Sequence, residues 1–325
     1  MKEIGFRSET APAISRTLSR INLAFVALLI CAAPSRADIY WANFDNASGS
    51  TVGVATPGGA ITNPSLVTGA SGPCGVAADA THLYWSNYLG YAVGRSGKDG
   101  LNTDQAFVAT STVSCGVAVN SAHIYWANTG FLGTGTTLGR SDLDGNNANN
   151  SFISGASGPC GVAVDGQYVY WANNVTGTIG RATLDGSVVD QGFIPNAGTT
   201  PCGVAVDSAH IYWANTFGQT TIGRADLDGN NVISNFIDGL PSPGGVAVGG
   251  GFIYWAEVGG GAIGRANLNG TGVNTDFIHT GTSPLGVALD PPPPVTAIPA
   301  ASTIGLGLLA TALLALALVA LAHRR

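Results

Sequence analysis

Four cysteines, Cys74, Cys115, Cys160 and Cys202, are spaced 41, 45 and 42 residues apart, and each is followed by Gly-Val-Ala. An even set of thiols can close two disulfides, hold a soft metal ion, or pack as small apolar side chains. Glu257 follows Trp255-Ala256, at a position where the equivalent segments carry Asn43, Asn87, Asn128, Asn173 and Asn215. A carboxylate among amides is the kind of oxygen set that binds a divalent cation. Arg95, Arg140, Arg181, Arg224 and Arg265 recur at a similar period and could form a ring of charge for an anionic ligand. His82, His123 and His210 share one position, occupied by Tyr168 and Phe252 elsewhere. Asp142-Leu-Asp144-Gly-Asn146 and Asp226-Leu-Asp228-Gly-Asn230 have the opening of a calcium loop. Their Gly comes too early and no Glu closes them, so they read as turns. No serine or cysteine sits in a nucleophile motif, and no His-x-x-x-His spacing suggests zinc.

These residues recur because the chain repeats. Trp41, Trp85, Trp126, Trp171, Trp213 and Trp255 each follow a Tyr, at steps of 44, 41, 45, 42 and 42. A period of about 40–45 residues made only of strand-like segments predicts propeller blades. One unit runs Cys202-Gly-Val-Ala-Val-Asp207, then His210-Ile-Tyr-Trp-Ala-Asn215, then Ile222-Gly-Arg-Ala-Asp-Leu-Asp-Gly229, then Val232 to Ile237. The first strand is made of small residues, suited to a crowded axis. The second is bulky and fills the widening wedge. Both faces of a blade pack on neighbours, so the strands are apolar throughout rather than alternating. Asp-Gly at 99–100, 144–145, 185–186 and 228–229, with Asn269-Gly270, supplies the positive φ of tight hairpins. The chain enters at Asp38-Ile39-Tyr40-Trp41, a second strand, and leaves at Leu285 to Asp290, a first strand, so the last segment is expected to complete the first blade.

The repeat resembles the YWTD repeats of low-density-lipoprotein-receptor propellers across residues 38–290, in its Gly-Val-Ala-Val-Asp strand, Tyr-Trp strand and Leu-Asp-Gly turn. Ala-Asn or Ser-Asn stands where that family has Thr-Asp. The resemblance implies an all-β, six-bladed propeller, a fold that hosts binding and catalysis alike.

Within such a ring a residue present in every blade usually serves the blade. The six tryptophans and the arginines therefore read as structural, each guanidinium being expected to pair with a carboxylate such as Asp79, Asp165 or Asp207. The histidines read as turn packing. Neighbouring inner strands are expected to lie beyond the roughly 7 Å Cα reach of a disulfide. Packed cysteines at the channel mouth are thus the default, with disulfides and a metal or redox site as alternatives. Glu257 departs from the symmetry and, with the Asn series, remains a weak binding candidate.

The ends read as addresses. Lys2, Arg7, Arg16 and Arg20 precede an apolar stretch from Ile21 to Ala33 and Ser35-Arg36-Ala37, the layout of a secretory signal peptide over residues 1–37. Cys31 follows Ile30 rather than a small residue, which disfavours lipidation. Residues 291–303 form a Pro-rich linker. Residues 304–322 are uncharged and long enough to span a bilayer, and His323-Arg324-Arg325 closes the chain. Ile298-Pro299-Ala300-Ala301-Ser302, with Gly305, resembles a divergent form of the bacterial IPTL-CTERM and PEP-CTERM sorting signals, which implies a sorting protease as a partner. The expected location is exported, either membrane-anchored through 304–322 or at the cell surface after processing.

From Asp38 to Asp290, 16 Asp and Glu257 face six Lys and Arg, giving 6 − 17 = −11. That balance excludes a nucleic-acid partner. The leading expectation is a cofactor-free binding or structural module for an extracytoplasmic protein or glycan. The alternative is a metal-dependent hydrolase or lyase with a divalent ion in the channel, chemistry that some propellers resembling this one perform.

Overall fold

A computed structural model describes residues 37–44, 50–216 and 218–291; the signal-peptide, linker, sorting and spanning segments expected above lie outside these residues. Blade 1 contains β1 (Ile39–Asn43), β2 (Thr51–Ala55) and β3 (Ile61–Val67). Blade 2 contains β4 (Pro73–Ala78), β5 (His82–Asn87), β6 (Ala92–Gly97) and β7 (Asp104–Ala109). Blade 3 contains β8 (Val117–Val119), β9 (His123–Asn128), β10 (Thr137–Asp142) and β11 (Asn149–Ser154). Blade 4 contains β12 (Pro159–Val164), β13 (Tyr168–Asn173), β14 (Thr178–Thr183) and β15 (Val189–Ile194). Blade 5 contains β16 (Pro201–Val206), β17 (His210–Asn215), β18 (Thr221–Asp226) and β19 (Ile233–Ile237). Blade 6 contains β20 (Pro243–Gly249), β21 (Phe252–Glu257), β22 (Ala262–Asn267) and β23 (Asn274–His279). The final strand, β24 (Pro284–Leu289), returns to blade 1, whose order is β24-β1-β2-β3.

Ring closure is therefore as the sequence implies. Ile39 stands opposite Leu289, and Trp41 opposite Val287. The inner strands β24, β4, β8, β12, β16 and β20 neighbour one another in that order and meet again at β24. Joining β24 to β1 in one sheet leaves no half-blade with an open inner edge among the described residues.

The second strand of each blade is its core. All six tryptophans are fully buried. An indole of this kind removes about 200 Å² from water, worth about 5 kcal/mol at most. Opposite each Trp stands a glycine of the third strand, Gly223 for Trp213 and Gly180 for Trp171. A Cβ at either position would overlap the indole ring, so the glycine is the slot into which the tryptophan lies. The Asp-Gly turns adopt the expected backbone, with φ of 78° at Gly100, 85° at Gly145 and 84° at Gly229.

The arginines are structural in position, but their partners differ from the expected carboxylates. Arg95 lies over the Phe107 ring at 3.7 Å, Arg140 over Phe152 at 4.1 Å and Arg224 over Phe236 at 4.0 Å. Arg181 is held between Phe193 and Tyr168, and Arg265 between Phe277 and Phe252. Nη1 of Arg95 and of Arg140 donates to the carbonyls of Leu143 and Leu184 in the turns of the following blades. Arg95, Arg140 and Arg181 thus join one blade to the next, each guanidinium lying on a ring face of its own blade while donating to a backbone oxygen of the following one. The carboxylates have another use. Asp79 Oδ2 accepts from the Tyr84 hydroxyl at 2.9 Å, and its Oδ1 accepts from the backbone of Thr81 and His82. Burial raises the Asp79 pKa, but these donors outweigh it and hold the carboxyl below its ordinary range. Asp165 and Asp207 repeat the arrangement with Tyr170 and Tyr212. His82 packs at a tilt against Tyr84, and His123 and His210 pack edge to face against Tyr125 and Tyr212, the packing role expected of them.

Candidate functional site

The inner strands converge on a narrow throat of about 60 Å³ lined by the Cys-Gly-Val segments and their counterparts Gly245, Val246, Gly286 and Val287. That volume has room for a couple of waters at most. On the side where the inner strands begin, the throat opens into a wider bowl of about 280 Å³. Its floor is formed by Cys74, Cys115, Cys160, Cys202, Gly244 and Leu285, and its walls by the loops between second and third strands. Phe44, Tyr88, Leu132, Asn174 and Thr216 come from five different blades.

The cysteines are bonded. Cys74 is joined to Cys115, and Cys160 to Cys202, each pair with a Cα–Cα distance of 4.9 Å. This overturns the default of packed thiols and the expectation that inner strands stand too far apart. The reason is the glycine after each cysteine. Gly116 N–H donates to the Cys160 carbonyl of the next blade at 2.7 Å, and a Cβ on Gly161 would lie against the backbone of Cys202, Gly203 and Val204. Without side chains between them, adjacent inner strands touch backbone to backbone. The register between first and second strands also slips between Pro and Val, for example from Pro159 to Val162, so the cysteine sits in a bulge at the mouth.

The loops above the floor break the repeat symmetry. In blade 3 the loop runs from 129 to 136, with Gly130 at φ 69°, Leu132 at φ 56° and Gly133 at φ 77°. It raises Leu132 to 83 % exposure and Phe131 to 69 %. Leu89, Tyr91 and Val175 are exposed on the neighbouring loops of the same face. Phe44 and Tyr88 meet edge to face at 5.8 Å, bridging blades 1 and 2. Thr129 and Thr216 also line the bowl, and neither hydroxyl has a hydrogen-bond partner among the described residues. An unpaired buried hydroxyl is costly, and a bound group with a matching donor or acceptor relieves that cost.

The opposite face differs. It carries the strand 1–2 and strand 3–4 turns, and with them Asp79, Asp99, Asp144, Asp185 and Asp228. Hydrogen bonds from the Thr183 hydroxyl, the Ser187 amide and the Ser187 hydroxyl bring the exposed Asp185 carboxyl down to about 2. Asn146 N–H and side chain bond back to Asp144 in the same way, so these segments are self-satisfied turns. Exposed Leu101, Val188, Val232 and Val273 also lie there, but they follow the repeating hairpin turns and so belong to the blade pattern.

Glu257 and the Asn series stand away from the throat and the bowl floor. Asn43, Asn87, Asn128, Asn173, Asn215 and Glu257 are all buried within their blades, at the ends of the second strands. Asn173 shows the role. Its Oδ1 accepts from Ser157 N–H at 2.9 Å and Trp171 Nε1 at 3.1 Å. Its Nδ2 donates to Thr178 Oγ1 at 3.1 Å and to the Gln191 carbonyl at 2.8 Å. One amide thus ties the preceding loop, the tryptophan, the third strand and the fourth. Asn87 and Asn128 make the same ties to Gln105 and Asn150. The reading of these oxygens as ion ligands in the channel is corrected accordingly, since the side chains are buried inside the sheets, where Asn215 Oδ1 is the one oxygen of the set with no hydrogen-bond partner among the described residues.

Glu257 keeps half of that pattern, accepting from Trp255 Nε1 at 2.5 Å and Ser242 N–H at 3.0 Å. The third strand here offers Ala262 instead of a threonine hydroxyl, so an acceptor-only side chain suffices. Burial raises its pKa, with the Trp255 and Ser242 donors opposing. A carboxyl raised in the folded state contributes stability that is full below the ordinary carboxylate range and is lost as pH climbs through the folded value. Glu257→Ala is expected to cost about 1–3 kcal/mol by orphaning two donors. Glu257→Asn should recover most of that and flatten the pH dependence above the ordinary carboxylate range. Denaturant unfolding of the three chains at several pH values checks both.

The comparisons agree on architecture. Residues 251–291, spanning β21 to β24, match the low-density lipoprotein receptor repeat class B. A chain of a crystal structure of a nidogen/laminin complex superposes with a TM-score of 0.65 at 15 % identity, over 78 % of this chain and 97 % of that one. Selenomethionine-substituted virginiamycin B lyase from Staphylococcus aureus superposes with a TM-score of 0.52 at 16 % identity, over 75 % and 85 %. At such identities the likeness is one of fold alone. No curated protein sequence matches the chain. Among the described residues no helix is long and apolar enough to cross a membrane.

Proposed function

We propose that this six-bladed propeller is an exported binding module that docks an extracytoplasmic protein on the face around the channel mouth. The observation that carries the reading is the bowl of about 280 Å³ with Leu132 standing almost fully exposed at its wall. Exposed apolar groups gathered around a concavity are a docking signature, whereas apolar groups scattered singly are not. The lining favours a polypeptide over a glycan. Leu132, Leu285, Phe44 and the disulfides offer an apolar seat for an anchor side chain, and the free hydroxyls of Thr129 and Thr216 can meet its peptide groups. Export is supported by the two disulfides, which persist in oxidising compartments. Tethering by residues 304–322, or release after sorting, sets where the face is presented.

The test is complementation. Cells lacking the chain are scored for surface attachment and matrix retention, then supplied with the wild type, with Leu132→Asp/Val175→Asp, or with Val188→Asp/Val232→Asp on the other face. The mouth variant is expected to fail at unchanged thermal stability, and the other variant to restore the wild-type behaviour. Rescue by the mouth variant would refute the reading; restoration by added oligosaccharide alone would transfer it to a glycan.

A further inference from the structure

The four sulfurs at the bottom of the bowl do more than staple two pairs of strands. Cys115 and Cys202 belong to blades 3 and 5, with a whole blade between them, yet the Sγ atoms of Cys115, Cys160 and Cys202 all lie within 4.8 Å of one another. Cys74 is the disulfide partner of Cys115, which places its sulfur beside the same group. Side chains from four consecutive inner strands therefore converge toward the axis. Gly244 and Leu285 occupy the two remaining positions of the ring. All four cysteines line the bowl, with Cys74 and Cys160 the more deeply buried.

We propose that, once both disulfides are reduced, these four cysteines form a site for one thiophilic divalent cation such as Zn²⁺. A tetrahedral zinc site has metal–sulfur bonds of about 2.3 Å, which puts its sulfurs roughly 3.8 Å apart. The sulfurs of Cys115, Cys160 and Cys202, already within 4.8 Å of one another, need to close in by only about an ångström, and Cys74, released from Cys115, turns in to supply the fourth. The inner strands need not move, because the ring fixes them through contacts at every blade boundary. A dithiol reductant supplies two electrons and two protons to each disulfide and leaves as its own cyclic disulfide. Two equivalents yield four thiols. Metal binding then releases the thiol protons to solvent as the four metal–sulfur bonds form. The mouth thus has two chemical states: a covalent staple in an oxidising compartment, and a metal-held cluster where dithiols prevail.

The site stands independently of the docking reading, since failure of either leaves the other intact. Its test uses the full chain in detergent with Cd²⁺ as the probe, read by the ultraviolet charge-transfer absorption of cadmium–thiolate bonds. The reduced chain is expected to take up one Cd²⁺, and the oxidised chain none. Bound Cd²⁺ should shield all four thiols from alkylation, and Zn²⁺ should compete for the site. Cys160→Ser should weaken binding by more than the roughly tenfold that changes beyond the direct ligands cost. Tryptophan fluorescence follows the fold throughout. If reduction alone loosens the ring, Cd²⁺ is expected to restore the folded signal. Absence of charge-transfer absorption in the reduced chain, or equal binding by Cys160→Ser, would overturn the proposal.

Discussion

Gly161→Ala is expected to lower the melting temperature by roughly 10 °C, although it adds a single methyl group. The new Cβ would lie 2.8 Å from Val204 N and 2.9 Å from the Gly203 Cα, and would overlap the Cys202 carbonyl oxygen. All of these are backbone atoms of the adjoining blade, so no side chain can swing aside. The same holds at Gly75, Gly116 and Gly203, whose Cβ atoms would meet the inner strand of the next blade. An open stack could widen at one interface, but a closed ring transmits the strain to all six. Overpacking of this kind costs about 3 kcal/mol or more, and each kcal/mol shifts the melting point of a domain this size by about 2–4 °C. Gly192→Ala is the matched control, since nothing lies within 4 Å of its would-be Cβ. It should change stability by less than about 0.5 kcal/mol. Calorimetry on the three chains decides the point.

The second large effect falls on Asn173. Asn173→Ala leaves Ser157 N–H without its acceptor, frees the Gln191 carbonyl of one donor, and opens a gap beside Trp171. Together these are worth about 3 kcal/mol. Asn173→Asp separates hydrogen bonding from packing. It keeps the shape but turns the Nδ2 donor toward Thr178 and Gln191 into an acceptor among acceptors. Its carboxyl must then be raised in the folded state. The variant is expected to be nearest wild-type stability at low pH and to lose stability as pH climbs through the folded value. Equal stability of Asn173→Asp and the wild type at neutral pH would show that the amide ties are not what holds the blade.

The tryptophan spacing made the blades legible because each indole needs its own glycine slot, and the pair recurs as one unit. Closure of the ring was legible for a similar reason: the chain begins one strand late and ends one strand late. The cysteine pairing was not legible. Whether two inner strands stand 5 Å or 8 Å apart depends on how a closed ring contracts around backbone-only contacts, a property of six glycines at once. The arginine partners were missed because charge suggests a carboxylate, although Phe107, Phe152, Phe193, Phe236 and Phe277 each follow their arginine by 12 residues and so carry the repeat. The mouth face left one trace in the sequence. The 44- and 45-residue steps between tryptophans mark the longer loops of blades 1 and 3, and those loops bring Phe44 and Leu132 to the bowl. Averaging copies into a consensus removes the very residues that differ.

Those differences support the view that the repeats are architecture and the mouth face is the working surface. The most direct measurement places a photo-crosslinking amino acid at Leu132 in one chain and at Val188 in another, with both irradiated in intact cells. The account predicts a discrete protein adduct from position 132, none from 188, and loss of the adduct when Val175→Asp is added. Equal labelling from 188, or an adduct from 132 that survives Val175→Asp, would contradict it.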